Sequence, residues 1–332
     1  MTAKCVEYHV SKVYGVADKA WQVVVGCDPH MLCAPRCWAR KTVARIAECQ
    51  KTIHPERSAF FQVALSADGK QWSGRTFLDM EHLADPLHWR KPALIATGFH
   101  GDWGRLGEYE KEMILAMAAV CPQHTFMLLS KCPDQILSWM TEEIPMSNRE
   151  TCVMGRCNNN KTYGGVVWDS RGSNPVNYNC RPRPGEVANR RAWPGWPLRN
   201  VTIGCSVMNQ SEADRQREPM AALAAMGWNT HVWHEPAIGP VDWRGWGFIK
   251  QLIVGGESGP DARPFVDKWA HSSLDWCRKN RVAFWMKQLG SNPVDLLGKM
   301  RGAMYSAKDR KGSHLESLPP SLQVREMPEV KA

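Results

Sequence analysis

Leu252-Ile-Val254 runs directly into Gly255-Gly-Glu-Ser-Gly259, an unbroken apolar strand that stops on glycines and polar side chains. A half-exposed strand would alternate; this one does not, and neither does Phe126-Met-Leu-Leu129. Continuous apolar character is what a parallel strand covered on both faces requires. Further out, runs of the same kind are Trp21–Gly26, Ala93–Thr97, Thr125–Ser130, Asn200–Val207, Asn229–His234, Phe248–Val254 and Arg281–Met286. Helical stretches are expected between them at Thr42–Gln50, Leu106–Val120, Ser211–Met226 and Asp267–Asn280. In the second of these, Met113, Ile114, Met117 and Val120 share one face. Strand and helix in alternation predict an α/β chain, either a barrel or a doubly wound sheet.

Two interruptions and a tail break the alternation. Residues 51–92 are expected to hold a hairpin, Phe60–Ser66 and Gln71–Leu78 around Ala67-Asp-Gly-Lys70. Residues 146–199 are rich in Asn, Arg, Gly and Pro and read as an irregular lid inserted over the active face. The body of the fold is thus placed at 1–290, with a charged, loosely ordered tail at 291–332.

The 332 residues are 43% hydrophobic, enough for a sizeable core. No apolar run is long enough for a membrane span and no export signal is evident, so the chain is expected to be soluble and intracellular. Twelve cysteines in that setting argue against a disulfide framework and for reduced thiols, some as metal ligands. Lys+Arg 42 against Asp+Glu 33 leaves +9, which favours a polyanionic partner, commonly nucleic acid.

Polar groups gather where the expected strands end: Cys27, Asp102, Lys131, Ser206, Glu235, Glu257 and Lys287. In an α/β barrel those ends form the active face. Gly255 and Gly256 would let a ligand approach the backbone, and Glu257 would accept hydrogen bonds from an ammonium or a ribose. After the first strand come Cys27, Cys33 and Cys37, with Pro29 and Pro35 keeping the loop out of regular helix. Three thiolates can hold three irons of a 4Fe–4S cluster and leave the fourth open. A zinc site would need His30 or a distant cysteine as fourth ligand, and three separate core thiols are the plain alternative. Cys152, Cys157 and Cys180 form a candidate second metal site in the lid segment. Arg171, Arg181, Arg183, Arg190 and Arg191, interleaved with Tyr163, Trp168, Tyr178, Trp193 and Trp196, give that segment the character of a single-strand or flipped-base contact.

Taken together, Gly26-Cys27 with Cys33 and Cys37-Trp-Ala39, His124–Lys131, Asn200–Val207, Glu235–Pro240, Gly255–Gly259 with Ala262-Arg-Pro264, and Phe284–Gln288 resemble a known family. It is the phage-borne, uncharacterised family with a three-cysteine motif related to the radical S-adenosyl-L-methionine (SAM) superfamily. The resemblance covers most of the chain; the spacing departs from it, being C-x5-C-x3-C where C-x3-C-x2-C is common in the superfamily. It implies a partial, TIM-like (β/α)6–7 barrel of the radical SAM type, with a 4Fe–4S cluster on Cys27, Cys33 and Cys37 and SAM on the open iron. Gly255, Gly256, Glu257 and Ser206 are then expected SAM contacts. Lys131, Glu235, Lys287 and Asp102 are expected to orient SAM or substrate. A reductase or flavodoxin-type electron donor is implied as a partner. Members occur in phage genomes, some beside base-modification genes, so a nucleobase in phage DNA is the expected substrate and the host cytoplasm the expected location. Isomerase, lyase and transferase chemistry all stay open, with a DNA-lesion lyase and a non-catalytic zinc protein binding nucleic acid as alternatives.

Overall fold

The computed structural model describes residues 15–31, 33–145, 196–295, 309 and 311–328, with the backbone of short strands at 167–168, 175–176 and 187–189. The chain divides into two units, one made mainly of Ala17–Val201 and the other mainly of Thr202–Ala332. Both are mixed α/β with parallel principal strands, as the unbroken apolar runs predict. No helix among the described residues is long and apolar enough to cross a membrane. Cys152, Cys157, Cys180 and the side chains of the arginines and aromatics expected to form a lid lie outside the described residues, apart from Trp196, whose ring meets Trp139 edge-on with centroids 6.0 Å apart.

The first unit contains β1 (Lys19–Ala20), β2 (Val24–Val25), α1 (Trp38–Gln50), α2 (Pro55–Gln62), β3 (Phe77–Leu78), β4 (Leu94–Thr97), α3 (Glu108–Val120), β5 (Thr125–Ser130) and α4 (Pro133–Thr141). β4 lies between β1 and β5, parallel to both. Phe126, Met127 and Leu128 of β5 and Met113–Ala118 of α3 are buried. The expected first strand, Trp21–Gly26, does not form as one strand: only Val24–Val25 within it is strand, and a separate strand, Lys19–Ala20, precedes it. Lys19–Ala20 pairs parallel with β4, whereas Val24–Val25 pairs antiparallel with β3. The expected hairpin is also corrected: Phe60 and Phe61 belong to α2, begun by Pro55 at its first turn. The predicted turn itself forms, with Leu65 and Trp72 bridged antiparallel across it, Ser66 N–H donating to Gln71 O (2.9 Å) and Ser73 N–H to Ala64 O (2.8 Å); within it Lys70 N–H donates to Asp68 Oδ1 (3.0 Å) and Gly69 takes φ +67°. Ala39, Val43 and Ala47 on one face of α1 pack with Phe61, Ala64, Leu65 and Trp72. This apolar layer fixes the helix that follows the cysteine loop.

The second unit contains β6 (Val201–Val207), α5 (Gln210–Ala225), β7 (Asn229–His234), β8 (Gln251–Gly255), α6 (Asp267–Asn280) and β9 (Ala283–Gln288). The four strands lie in that order and all pair parallel. α5 starts at Asn209, whose side chain accepts from the Glu212 N–H (3.1 Å). α6 ends at Arg281 in the left-handed region. The expected loose tail is corrected for residues 311–328. Met286 N–H donates to Val324 O (2.8 Å), Glu326 N–H to Phe284 O (2.9 Å), and Leu318 and Leu322 are buried. Two leucines with strand-type pairing outweigh the charge that suggested a free tail.

Candidate functional site

The cysteine loop hangs from a short backbone splice in the first unit. Gly26 N–H donates to His100 O (3.0 Å) and Asp102 N–H donates to Gly26 O (3.1 Å). Gly26 has φ +102°, and a Cβ there would run into the Arg75 carbonyl oxygen, so only glycine fits. Asp28 then takes the His30 N–H (2.8 Å) and the Arg105 guanidinium (2.9 Å), which sets the direction of the loop. Ala34–Arg36 form a single 3-10 turn with Pro35, and Cys37 is the N-cap of α1.

Cys33 and Cys37 meet through their side chains, and Cys27 lies near enough to act on both electrostatically. The Cys33 thiol and the Cys37 side chain hydrogen-bond to each other. Cys37 is pulled below the ordinary thiol range by the Cys33 thiol, then by the Arg40 backbone N–H, the Trp72 indole and the Ala39 N–H, against burial. Cys33 is raised correspondingly by Cys37 and by burial, with the Lys131 ammonium opposing. Burial pushes Cys27 upward, helped by the negative charge of Asp102 and by Cys37. A helix N-terminus and a nearby cation are the surroundings that favour thiolate. Among the described residues no three His, Cys, Asp or Glu side chains already stand as a metal-ligand group. The donor chemistry does fit an iron or zinc centre: ligation takes thiolate sulfur, and Lys131 beside Cys33 together with the backbone N–H groups at the start of α1 offset that negative charge.

Asp102 sits beside the loop but faces inward. It is buried and accepts from Ser130 Oγ (2.5 Å), Lys131 N–H (2.7 Å) and Gly104 N–H (3.0 Å). Burial raises its carboxyl while those three donors resist the rise. Its oxygens are therefore engaged in tying the end of β5 to the turn at Trp103–Arg105. That fixes the backbone of Lys131, whose charge reaches both Asp102 and Cys33.

In the second unit the strand-end groups form two ion pairs. Lys287 Nζ lies 2.5 and 2.6 Å from the Glu235 oxygens and 5.1 Å from the centre of the Trp233 ring. Burial drives the Lys287 ammonium downward and Glu235 opposes it. Ser206 Oγ donates to the Glu235 backbone carbonyl (3.0 Å), so side chains from β6 and β9 both bind the residue that follows β7, Lys287 at its carboxylate and Ser206 at its main chain. Glu257 differs from expectation. Both its oxygens are held by Arg263, through Nε (2.8 Å), Nη2 (2.8 Å) and the backbone N–H (2.9 Å). A bidentate pair of this kind leaves little of the carboxylate for an ammonium or a ribose. Gly256 is likewise explained by packing, since a Cβ there would strike the Leu289 carbonyl oxygen; a Cβ on Gly255 would press on the Glu235 carboxylate at 3.3 Å.

Sequence reading overlooked several partners. Arg263 was present in a quoted motif but carried no role, although it lies six residues after the glutamate it grips. Cys132 directly follows Lys131, is buried and acts electrostatically on Cys27. Trp72 acts on Cys37 from beyond α2 in sequence, and no spacing rule would have found it.

No curated protein and no solved structure matches the chain. A family model described as a protein of unknown function (DUF5131) matches residues 13–319, and the chain belongs to that family.

Proposed function

We propose that the chain is a radical SAM enzyme acting on a nucleobase in phage DNA, within a hypermodification pathway. The observation that carries this reading is the gathering of Cys27, Cys33 and Cys37 on one loop, with Lys131 in reach of Cys33. Those three residues would hold a 4Fe–4S cluster with one iron left for SAM. When bound, cluster and SAM supply one-electron cleavage of SAM to methionine and a 5′-deoxyadenosyl radical, with the electron drawn from a reductase or flavodoxin-type donor. The protein's own contribution begins with charge. Lys131 and the first turn of α1 stabilise the thiolate forms, and Asp102 positions Lys131 through its backbone. The apolar layer of α1 and α2, which packs against Cys27 and Cys37, keeps water from that side of the sulfurs. Parallel strands running into helices support a partial (β/α)6–7 barrel of the radical SAM type. Ser206, Glu235 and Lys287 are proposed to orient a charged group at the strand ends of the second unit. Gly255, Gly256 and Glu257 are proposed to shape that end through backbone position.

Anaerobic reconstitution with iron and sulfide tests the reading. A brown protein that cleaves SAM to 5′-deoxyadenosine on reduction is the expected result, lost in Cys33→Ala and kept in Cys49→Ala. A colourless protein with stoichiometric zinc and no cleavage overturns it. One observation favours that second reading: Cys132 lies close enough to raise Cys27 and could close a four-thiolate zinc site. Cys132→Ser would then abolish zinc binding, whereas a cluster on three cysteines would survive it.

A further inference from the structure

Arg105 ends the turn that follows the Gly26 splice, and its guanidinium does more than meet Asp28. Asp102 holds this turn at both ends: its Oδ1 accepts the Gly104 N–H (3.0 Å) and its backbone carbonyl accepts the Arg105 N–H (3.1 Å). Gly104 lies so close to the end of β5 that a Cβ would strike Ser130 Oγ. The Arg105 side chain therefore leaves from a fixed backbone. It is 20% exposed, and its Nη1 meets Asp28 Oδ2 at 2.9 Å. Asp28 directly follows Cys27 and also takes the His30 N–H, so the pair clamps the loop at its first cysteine.

Two observations go beyond clamping. Arg105 Nε is buried and has no hydrogen-bond acceptor among the described residues. A charged donor left unmet in a buried place is destabilising, which points to an acceptor that arrives with the site's ligand. The neighbours indicate what kind of acceptor. Burial and Asp102 push the Cys132 thiol upward, and Arg105 is the cation that opposes them; Cys132 in turn acts on Cys27. The guanidinium thus lies in the field of the cysteines, where ligation turns thiols into thiolates. A lysine would offer a point charge there. A guanidinium presents N–H groups in a fixed plane, and hydrogen bonds to sulfur help set the reduction potential of an iron–sulfur centre.

We infer that Arg105 is a positioning residue for the metal centre, holding Cys27 through Asp28 and giving its charge and its buried Nε–H to the ligated sulfurs. The inference rests on the cysteine site of the proposed function, and its first test is indifferent to whether iron or zinc is the native metal.

Cobalt(II), titrated into the reduced full chain and followed by sulfur-to-metal charge-transfer absorption, reports the thiolate site directly. Arg105→Gln is expected to weaken cobalt binding by about ten- to a hundredfold, and Asp28→Asn by about tenfold. Arg105→Lys should return part of the loss. Arg57→Gln, which breaks another close ion pair, with buried Asp79 (2.6 Å), should lower the melting temperature without changing cobalt affinity. The second readout, after anaerobic reconstitution, is the reduction midpoint from electron paramagnetic resonance. Reduction adds negative charge, so loss of the cation disfavours the reduced form. Arg105→Gln should make reduction about tenfold less favourable, a shift of about 59 mV toward negative potential. Arg105→Lys and Asp28→Asn, which keep a cation, should stay near the wild-type midpoint. Unchanged cobalt affinity in Arg105→Gln, an equal loss in Arg57→Gln, or an unchanged midpoint in Arg105→Gln overturns the inference. If Arg105→Gln does not fold, Asp28→Asn and Arg105→Lys take its place, and wild-type cobalt affinity in both overturns it. A wild-type chain that binds cobalt but takes up no iron–sulfur cluster defeats the radical SAM reading alone, and the cobalt comparison then decides the role of Arg105.

Discussion

Lys287 and Glu235 face each other across the ends of β9 and β7 at 2.5–2.6 Å, with side chains only 6% and 13% exposed. Two charges so placed have surrendered most of their hydration, and each depends on the other. Removing one partner, as in Lys287→Met or Glu235→Leu, is expected to cost about 3–5 kcal/mol, because the remaining charge is stranded. The double variant should recover much of that loss. Urea denaturation of the three proteins measures the difference, and additive losses would mean that the pair is not coupled.

Three buried histidines give the fold a defined acid limit. Burial holds His100 and His234 down to about 4 and His231 down to about 3. Unfolded, each would take a proton near pH 6.5, so below that pH the unfolded chain binds protons that the folded one refuses. Stability is therefore expected to be level above about pH 7 and to fall as pH drops toward 3. By pH 5 the loss should be on the order of 2 kcal/mol per histidine. Urea midpoints at pH 7.5 and 5 check this; equal midpoints would contradict the burial of these rings.

Gly69 and Gly256 separate two reasons for glycine. Gly69 has φ +67° with open space around it, so Gly69→Ala should cost only conformational strain, about 1–2 kcal/mol. Gly256→Ala forces a methyl onto the Leu289 carbonyl and Phe265, and its loss should be clearly larger, with shifted near-ultraviolet circular dichroism.

Asp102→Asn distinguishes a structural carboxylate from a reacting one. An amide keeps one acceptor where the carboxylate served Ser130, Lys131 and Gly104, so a loss of about 1–3 kcal/mol is expected. Thermal melting reads the loss directly. A variant with native stability that fails only in SAM cleavage would give Asp102 a chemical role instead.

The parts legible in the sequence were those with a repeating physical signature. Phe126–Leu128 and Leu252–Val254 declared buried parallel strands because both faces of each are apolar, and Asp267–Asn280 declared its helix to the residue. Trp21–Gly26 misled because the parallel strand, Lys19–Ala20, ends just before it, while Val24–Val25 pairs in the opposite sense with Phe77–Leu78, a partner far along the chain that no local pattern announces. Phe60–Phe61 misled because aromatic residues favour strands, yet Pro55 and the packing against α1 decide for helix. The cysteines were legible as a group since they share a loop. The engagement of Glu257 by Arg263 was not, because only the folded turn shows that the carboxylate already has a partner.

The segment at 311–328 has a consequence beyond its own order. β9 is the last strand in the second unit's row, and its outer backbone groups at Phe284 and Met286 are met by Glu326 and Val324. An exposed row of that kind invites another chain to add itself as the next strand. The final stretch thus acts as a stopper on a sticky margin, and shortening it before Leu318 should turn a well-behaved molecule into one that self-associates, visible as growth in light scattering on storage.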